Sequence, residues 1–302
     1  MPLMKRLRVL AAKVEATVGT AETLTSSEGA FNAYNVMIQP EPAFEQRESQ
    51  GQFGVLSAVP SALSGVATFR TDLGYNGTDV PSWASVLLPG CGYVNSTGTF
   101  TPRSEAPGSN VKTLTIGGYI NGLYKSISGA VGNFTLVFPT GRMAYIDWEF
   151  RGVWVQPTDT AIIAPTYPTH ATLRAASMTT TFNSVSFCSE NITFNSGNEI
   201  SLIQCQTGNG FKNAIITDRL PTATSNPESV LIATQDRFAP LLTATEQALS
   251  LAIGSAITVS IPKAQIVNNQ EGDREKIVID ELSWQANKNG TNLDQDVSIV
   301  FS

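Results

Sequence analysis

Between Thr113 and Trp154 the chain alternates apolar and polar side chains. Ile146, Trp148 and Phe150 are separated by Asp147, Glu149 and Arg151, and this two-residue period gives an extended chain one apolar and one charged face. Phe134, Leu136 and Phe138 repeat the pattern upstream, and Pro139-Thr140-Gly141 supplies a turn. The stretch therefore predicts a hairpin in a half-buried sheet. Further strands are expected from Leu7 to Val14, from Asn35 to Gln39 and from Val66 to Leu73. Others are expected around Phe182, Val185 and Phe187, at Ile192 and Phe194, and from Ile200 to Cys205. The last group lies near Ala256 to Ile261, Lys276 to Trp284 and Val297 to Phe301.

Helical periodicity is scarce. One helix of about two turns is expected between Pro81 and Pro89-Gly90, with Trp83, Val86 and Leu87 at i, i+3 and i+4. A second is expected from Pro240 to Leu251, with its proline in the first turn, where a missing donor costs least. Pro40 to Phe53 is charged and poor in apolar residues, which reads as a projecting loop or solvated arm. Gly98 to Asn110 reads as a loop. The sum is a mainly-β protein of antiparallel sheets, since parallel ones need helical crossovers.

The two halves echo each other in order. Phe69 to Leu73 resembles Ile216 to Leu220, and Trp83-Ala84 with Leu87-Leu88 resembles Phe238-Ala239 with Leu241-Leu242. LTIG at 114–117 resembles LAIG at 251–254, FTLVFP at 134–139 resembles ITVSIP at 257–262, and Tyr145-Ile146-Asp147 resembles Val278-Ile279-Asp280. With 302 residues the chain exceeds what one core usually serves, about 250 to 300 residues. The expected organisation is a first β domain at 1–157, a proline-rich linker at 158–170 carrying Pro165 and Pro168, and a second β domain at 171–302, each with one short flanking helix.

Charged residues make up only 15% of the chain, so much of the polar surface is Ser, Thr, Asn and Gln. Burying a hydroxyl or amide costs far less than burying a Lys or Glu, and such a surface suits packing against other protein. Lys and Arg total 19 against 25 Asp and Glu, a balance that disfavours a nucleic-acid reader needing a basic face. Cys91, Cys188 and Cys205 lack the spacing of a disulfide framework or zinc site and read as thiols in a reducing cytoplasm. The basic start MPLMKRLRVLAAKVEA lacks the apolar run of a signal peptide, and no run reaches the ~18 apolar residues of a membrane span. The Asn-X-Ser/Thr sites at Asn76, Asn95, Asn133, Asn191 and Asn289 read as accidents of composition.

Catalytic chemistry finds little footing. His170 is the one histidine, and neither a phosphate-binding nor a dinucleotide-binding glycine motif occurs. Asp147 with Glu149, or Asp280 with Glu281, has the residue types of a glycosidase pair, but carboxylates two apart on a strand read as a solvated stripe. No catalytic, cofactor or metal residue is assigned. Trp148, Trp154 and Trp284 read as core or interface residues.

Four stretches resemble the major tail tube proteins of long-tailed bacteriophages. They are LRVLAAKVEATVGTAETL, VATFRTDLGYNGTDVPSWASVLLPGCGY, TLTIGGYINGLYKSISGAVGNFTLVF, and VLIATQDRFAPLLTATEQALSLAIGSAITVSIPKAQ with EGDREKIVIDE. The resemblance covers most of the chain. It implies tandem tail-tube-type β-sandwich domains that join sheets around a ring, three chains to a ring, with rings stacked into the virion tail. Other tail proteins would cap the tube, and genomic DNA would pass through without specific binding. Within that picture Glu41, Phe44, Glu45, Arg47, Glu48 and Phe53 are the expected inter-ring assembly loop, and Asp147 and Glu149 are candidates for an acidic lumen. The alternative reading is a carbohydrate- or receptor-binding β-sandwich module of a virion. A β-rich hydrolase is a third.

Overall fold

Leu136 pairs with Ile146 and Phe134 with Trp148 across the hairpin that the alternation predicts. The computed structural model describes residues 3–4, 6–28, 31–75, 77–104, 112–167, 169–176, 178–206, 209–291 and 293–302. In chain order the first elements are β1 (Arg8–Val14), β2 (Ala33–Glu48), β3 (Val55–Asp72), β4 (Gly74–Tyr75), α1 (Ser82–Gly90), β5 (Tyr93–Ser96) and β6 (Thr99–Pro102). There follow β7 (Leu114–Ile120), β8 (Leu123–Pro139), β9 (Tyr145–Asp159), β10 (Ala171–Thr172), β11 (Met178–Phe182), β12 (Val185–Phe187) and β13 (Ser189–Asn195). The chain closes with β14 (Asn198–Gln204), β15 (Phe211–Arg219), β16 (Thr222–Pro227), α2 (Phe238–Thr243), β17 (Glu246–Ile253), β18 (Ile257–Arg274), β19 (Ile277–Ala286) and β20 (Ser298–Phe301).

The protein is mainly β, and every strand pairing is antiparallel among the described residues. One sheet follows the path β12-β11-β17-β18-β19-β16-β13-β8-β9-β3-β2. β1 joins it through β7, and β20 bridges β18 to β6. Its inward face carries Phe69, Phe134, Trp148 and Phe150 on one side and Phe194, Leu282 and Trp284 on the other. Trp83, Leu87 and Leu88 of α1, Tyr93, Phe100 and Phe301 belong to the same buried cluster. The second layer of this sandwich is thus built from helix, short hairpin and C-terminal strand. Trp148 contacts Phe69, Trp83, Phe134 and Phe150, and its indole N–H donates to Thr71 Oγ1 at 2.9 Å.

Two local expectations are corrected and a third is narrowed. Of loop or solvated arm, Pro40 to Phe53 is the arm: β2 runs through to Glu48 and β3 returns from Val55, an exposed two-stranded projection. Ladder hydrogen bonds between the two strands hold it extended without an apolar core. Thr99–Pro102 within the expected loop is a strand, because β5 and β20 flank it; residues 105–110 of that loop lie outside the described residues. The second helix ends at Thr243. Ala244 turns left-handed at φ 53°, and Leu249, Leu251 and Ile253 then alternate inward as β17. At 158–170, β9 continues to Asp159 before an irregular segment whose Ile163 packs on Val9, Ala11, Leu24 and Tyr119.

The strand order repeats. Residues before β10 pair in the order β1-β7-β8-β9-β3-β2, and residues after it in the order β11-β17-β18-β19-β16-β13. In each set the chain visits the strands in the same sequence, with the helix between the third and fourth. Registers repeat too. Ile38, Ala67, Phe150 and Gly132 form one row across β2, β3, β9 and β8. Phe194, Ala223, Trp284 and Ile266 form the matching row across β13, β16, β19 and β18. Both rows set a small alanine between two large side chains, as interdigitated packing needs.

Candidate assembly edges

Strand β13 plays in its set the part that β2 plays in the first, yet β13 has a second partner. It lies between β16 and the far end of β8, where Asn191 to Asn195 pair with Pro139 to Thr135. Ser196 N–H donates to Phe134 O at 3.0 Å. The side chains also join: Asn195 Nδ2 donates to Thr135 Oγ1 at 2.9 Å and Asn133 Nδ2 to Asn195 Oδ1 at 3.2 Å. This internal joint links the two strand sets.

The same joint is missing its partner twice. β2 pairs with β3 alone, and beyond Gln265 β18 pairs with β19 alone, among the described residues. Matched row by row, β2 residues Asn35 to Gln39 correspond to β13 residues Asn191 to Asn195. β18 residues Gln270 to Arg274 correspond to β8 residues Thr135 to Pro139. Open edges of this kind are templates for another strand; on β2 the Val36 carbonyl accepts from Arg8 Nη1, and no strand covers the rest of the edge among the described residues. Pro40 and Pro42 stand on alternate positions of β2, so both ring nitrogens face the open side, where proline is tolerated. They cap the edge at Gln39, the residue that matches the end of the internal joint.

The outward face of the sheet is polar. Thr68, Thr135, Thr193, Thr224, Asn195 and Ser283 lie on it with few charges. Asp147 and Glu149 both lie on this face, and each is matched by an arginine. Arg70 Nε and Nη2 donate to Asp147 Oδ1 and Oδ2 at 2.7 and 2.9 Å, and Arg151 Nε donates to Glu149 Oε1 at 3.3 Å. The face is therefore polar, and these two carboxylates are each paired. Glu41, Phe44, Glu45, Arg47, Glu48 and Phe53 form a separate set on the arm, where Arg47 Nε donates to Ser57 O at 3.1 Å and Phe53 stands at the tip.

At the start of the open edge Tyr34 Oη donates to Asp72 Oδ2 at 2.8 Å. Burial, then this hydrogen bond and the carboxylate charge, push the Tyr34 hydroxyl up to about 12. The neutral phenol is the form that the fold favours, so its stabilising contribution is present below pH ~10, the unfolded value, and is lost as the pH rises towards 12. Asp72→Asn is expected to bring the Tyr34 transition closer to pH 10 in an ultraviolet titration; an unmoved transition would remove Asp72 as a cause.

Sequence reasoning missed Ile38 and Glu271, at the middle of the two open edges. The alternate prolines 40 and 42 were the available signal for an edge strand. A cleft of 460 Å³ lined by Met178, Val185, Phe187, Cys188 and Arg237 has its buried cation committed. Arg237 Nη1 reaches Asp280 Oδ2 at 2.6 Å and Nη2 reaches Gln235 Oε1 at 2.8 Å. Among the described residues no three His, Cys, Asp or Glu side chains are placed to hold a metal ion, and no helix is long and apolar enough to cross a membrane. Scanned against protein-family models the chain matches none, and it has no match among curated proteins.

Proposed function

We propose that the chain is a tube subunit whose copies join head to tail, β2 of one adding to the open half of β18 in the next. The observation that carries the reading is the internal joint between β13 and β8, with the two halves of an equivalent joint left open on one chain. Different patches meet in such a contact, so it repeats without limit until a ring closes or a filament grows. Carried over in register, Ile38 of one copy faces Glu271 of its neighbour, and Gln39 faces Gln270 with Asn268 beside it. Those amides stand where Asn195, Thr135 and Asn133 exchange hydrogen bonds within the chain.

Closure removes every open edge of the main wall. With two strand sets per chain, three chains give six equivalent sectors, in keeping with the resemblance to phage tail tubes. In this reading the rings stack into a tail tube of the virion, with other tail proteins at its ends. The outward face becomes the channel lining. Its hydroxyls, amides and paired charges offer the phosphate backbone no net positive surface, so a genome slides without being held.

Electron microscopy of the concentrated protein tests this directly. Rings or tubes with an open channel are expected; monodisperse single chains under all conditions of salt and concentration would overturn the reading.

A further inference from the structure

The arm at 40–64 has a twin. Residues 196–220, between β13 and β16, form a hairpin of the same length, at the same place in the second strand set. Four of its pairings fall at matching positions. Pro42 with Leu63, Phe44 with Pro60, Glu45 with Val59 and Glu48 with Val55 correspond to Asn198 with Arg219, Ile200 with Ile216, Ser201 with Ile215 and Gln204 with Phe211. A bulge interrupts both ladders at the same step, between Pro42 and Phe44 and between Glu199 and Ile200.

Their surroundings differ. The twin lies over the first strand set, with Asn213 and Ala214 buried. Asn198 Nδ2 donates to Cys91 O, just past α1, and to Gly132 O on β8, both at 2.9 Å. A side-chain carbon on Gly129 would lie 2.8 Å from Asn213 Cβ, and Asn209 Nδ2 donates to Trp154 O. Beyond its base, where Leu63 N–H donates to Asn209 O at 2.9 Å, the arm has no such cover: Phe44, Phe53, Val55, Leu56 and Val59 are all exposed. The second set has the converse deficit. α1 buries Trp83, Leu87 and Leu88, whereas α2 buries only Pro240 and leaves Leu242 83% exposed, with Leu231, Ile232 and Phe238 also open. One half thus has a helix end covered by a hairpin, and the chain has left over one bare hairpin and one bare helix.

We infer that the arm of one copy lies over the α2 end of the copy whose β18 it joins, as 196–220 lies over the α1 end within the chain. The inference rests on the head-to-tail joint proposed above and assigns the arm to a neighbour in the same ring rather than to the ring above. Carried over in register, Ser57 meets Lys263, the counterparts of Asn213 and Gly129. The twin leaves the sheet at Gly197, whose φ is +63° and whose missing side chain leaves room for Leu220 O. The arm has Glu41 there and runs in line with the sheet in a single chain. It swings across at the shared bulge when a neighbour arrives.

The test is a cysteine pair, Ser57→Cys with Lys263→Cys, in a chain whose exposed Cys188 is replaced by serine. Disulfide geometry demands close approach of the two side-chain carbons. Assembled particles are expected to give linked dimers and closed rings on a non-reducing gel, and dilute single chains none. Glu41→Gly is expected to lower the concentration needed for assembly several-fold, by easing the bend. Particles that assemble without this cross-link, or that link only between stacked rings, overturn the docking and leave the tube standing. A chain that never assembles removes the tube and the docking together.

Discussion

Glu271→Pro is expected to yield a folded chain that no longer assembles. Glu271 is exposed, and its counterpart Leu136 is the β8 residue that faces Phe194 across the internal joint. Its backbone therefore faces the open edge of β18, away from β19. A proline there removes one ladder donor and places ring carbons where the incoming strand would lie. With a loss of about 1 to 3 kcal/mol per joint, each joint weakens roughly 5- to 150-fold, and a closed ring needs every joint at once. Circular dichroism and the thermal midpoint are expected to match the parent, while sedimentation shows single chains at concentrations where the parent forms particles. Ile38→Pro on the opposing edge is expected to do the same, with some loss of stability because Ile38 is buried. Particle formation by Glu271→Pro at the parent's concentration would remove β18 from the joint.

Arg237→Met is expected to cost about 3 to 5 kcal/mol in urea unfolding, because it strands a buried carboxylate. Arg237 and Asp280 are 3% and 8% exposed and 2.6 Å apart, and Arg237 also donates to Glu228 O at 2.9 Å and to Gln235. The pair ties the segment before α2 to β19. The other strand set shows what the position tolerates, since the matching residue on β9 is Ile146, fully buried. The double variant Arg237→Met, Asp280→Ile is therefore expected to recover most of the loss, to within about 1 kcal/mol of the parent, as apolar replacements of buried ion pairs often do. Equal losses for the single and double variants would mean that packing or the bonds to Glu228 and Gln235, rather than the charge pair, carry the stability.

The internal echo shows where sequence reading stops. Tyr145-Ile146-Asp147 and Val278-Ile279-Asp280 look alike, but the pairing registers match Ile146 to Asp280, one residue away. That slip turns a strand over, and Asp147 accordingly faces out with Arg70 while Asp280 faces in with Arg237. LTIG and LAIG fall on the matching strands β7 and β17 four positions out of step, and FTLVFP and ITVSIP fall at opposite ends of β8 and β18. Phe69 to Leu73 and Ile216 to Leu220 do not correspond either: β15 matches the arm half of β3, and the counterpart of Phe69 to Thr71 is Ser225 to Pro227 on β16. Alternating apolar strands resemble one another wherever they are laid, so similarity of letters finds strands more readily than it finds registers.

The two-residue alternation by itself determined that Phe134 to Phe150 folds as a half-buried hairpin, because no other backbone puts those side chains on one face. Pro81 and Gly90 likewise bounded the first helix, and a low charge content set the polar character of the outward face. Only the tertiary structure decided that β13 adds to β8, that β2 and the end of β18 each lack a second strand partner among the described residues, and that residues 40–64 and 196–220 are the same hairpin with different cover. Those facts depend on hydrogen bonds between strands far apart in the chain. A strand's sequence states which of its faces is apolar, but its edges are backbone, alike for every residue except proline, and carry no record of which neighbour they meet.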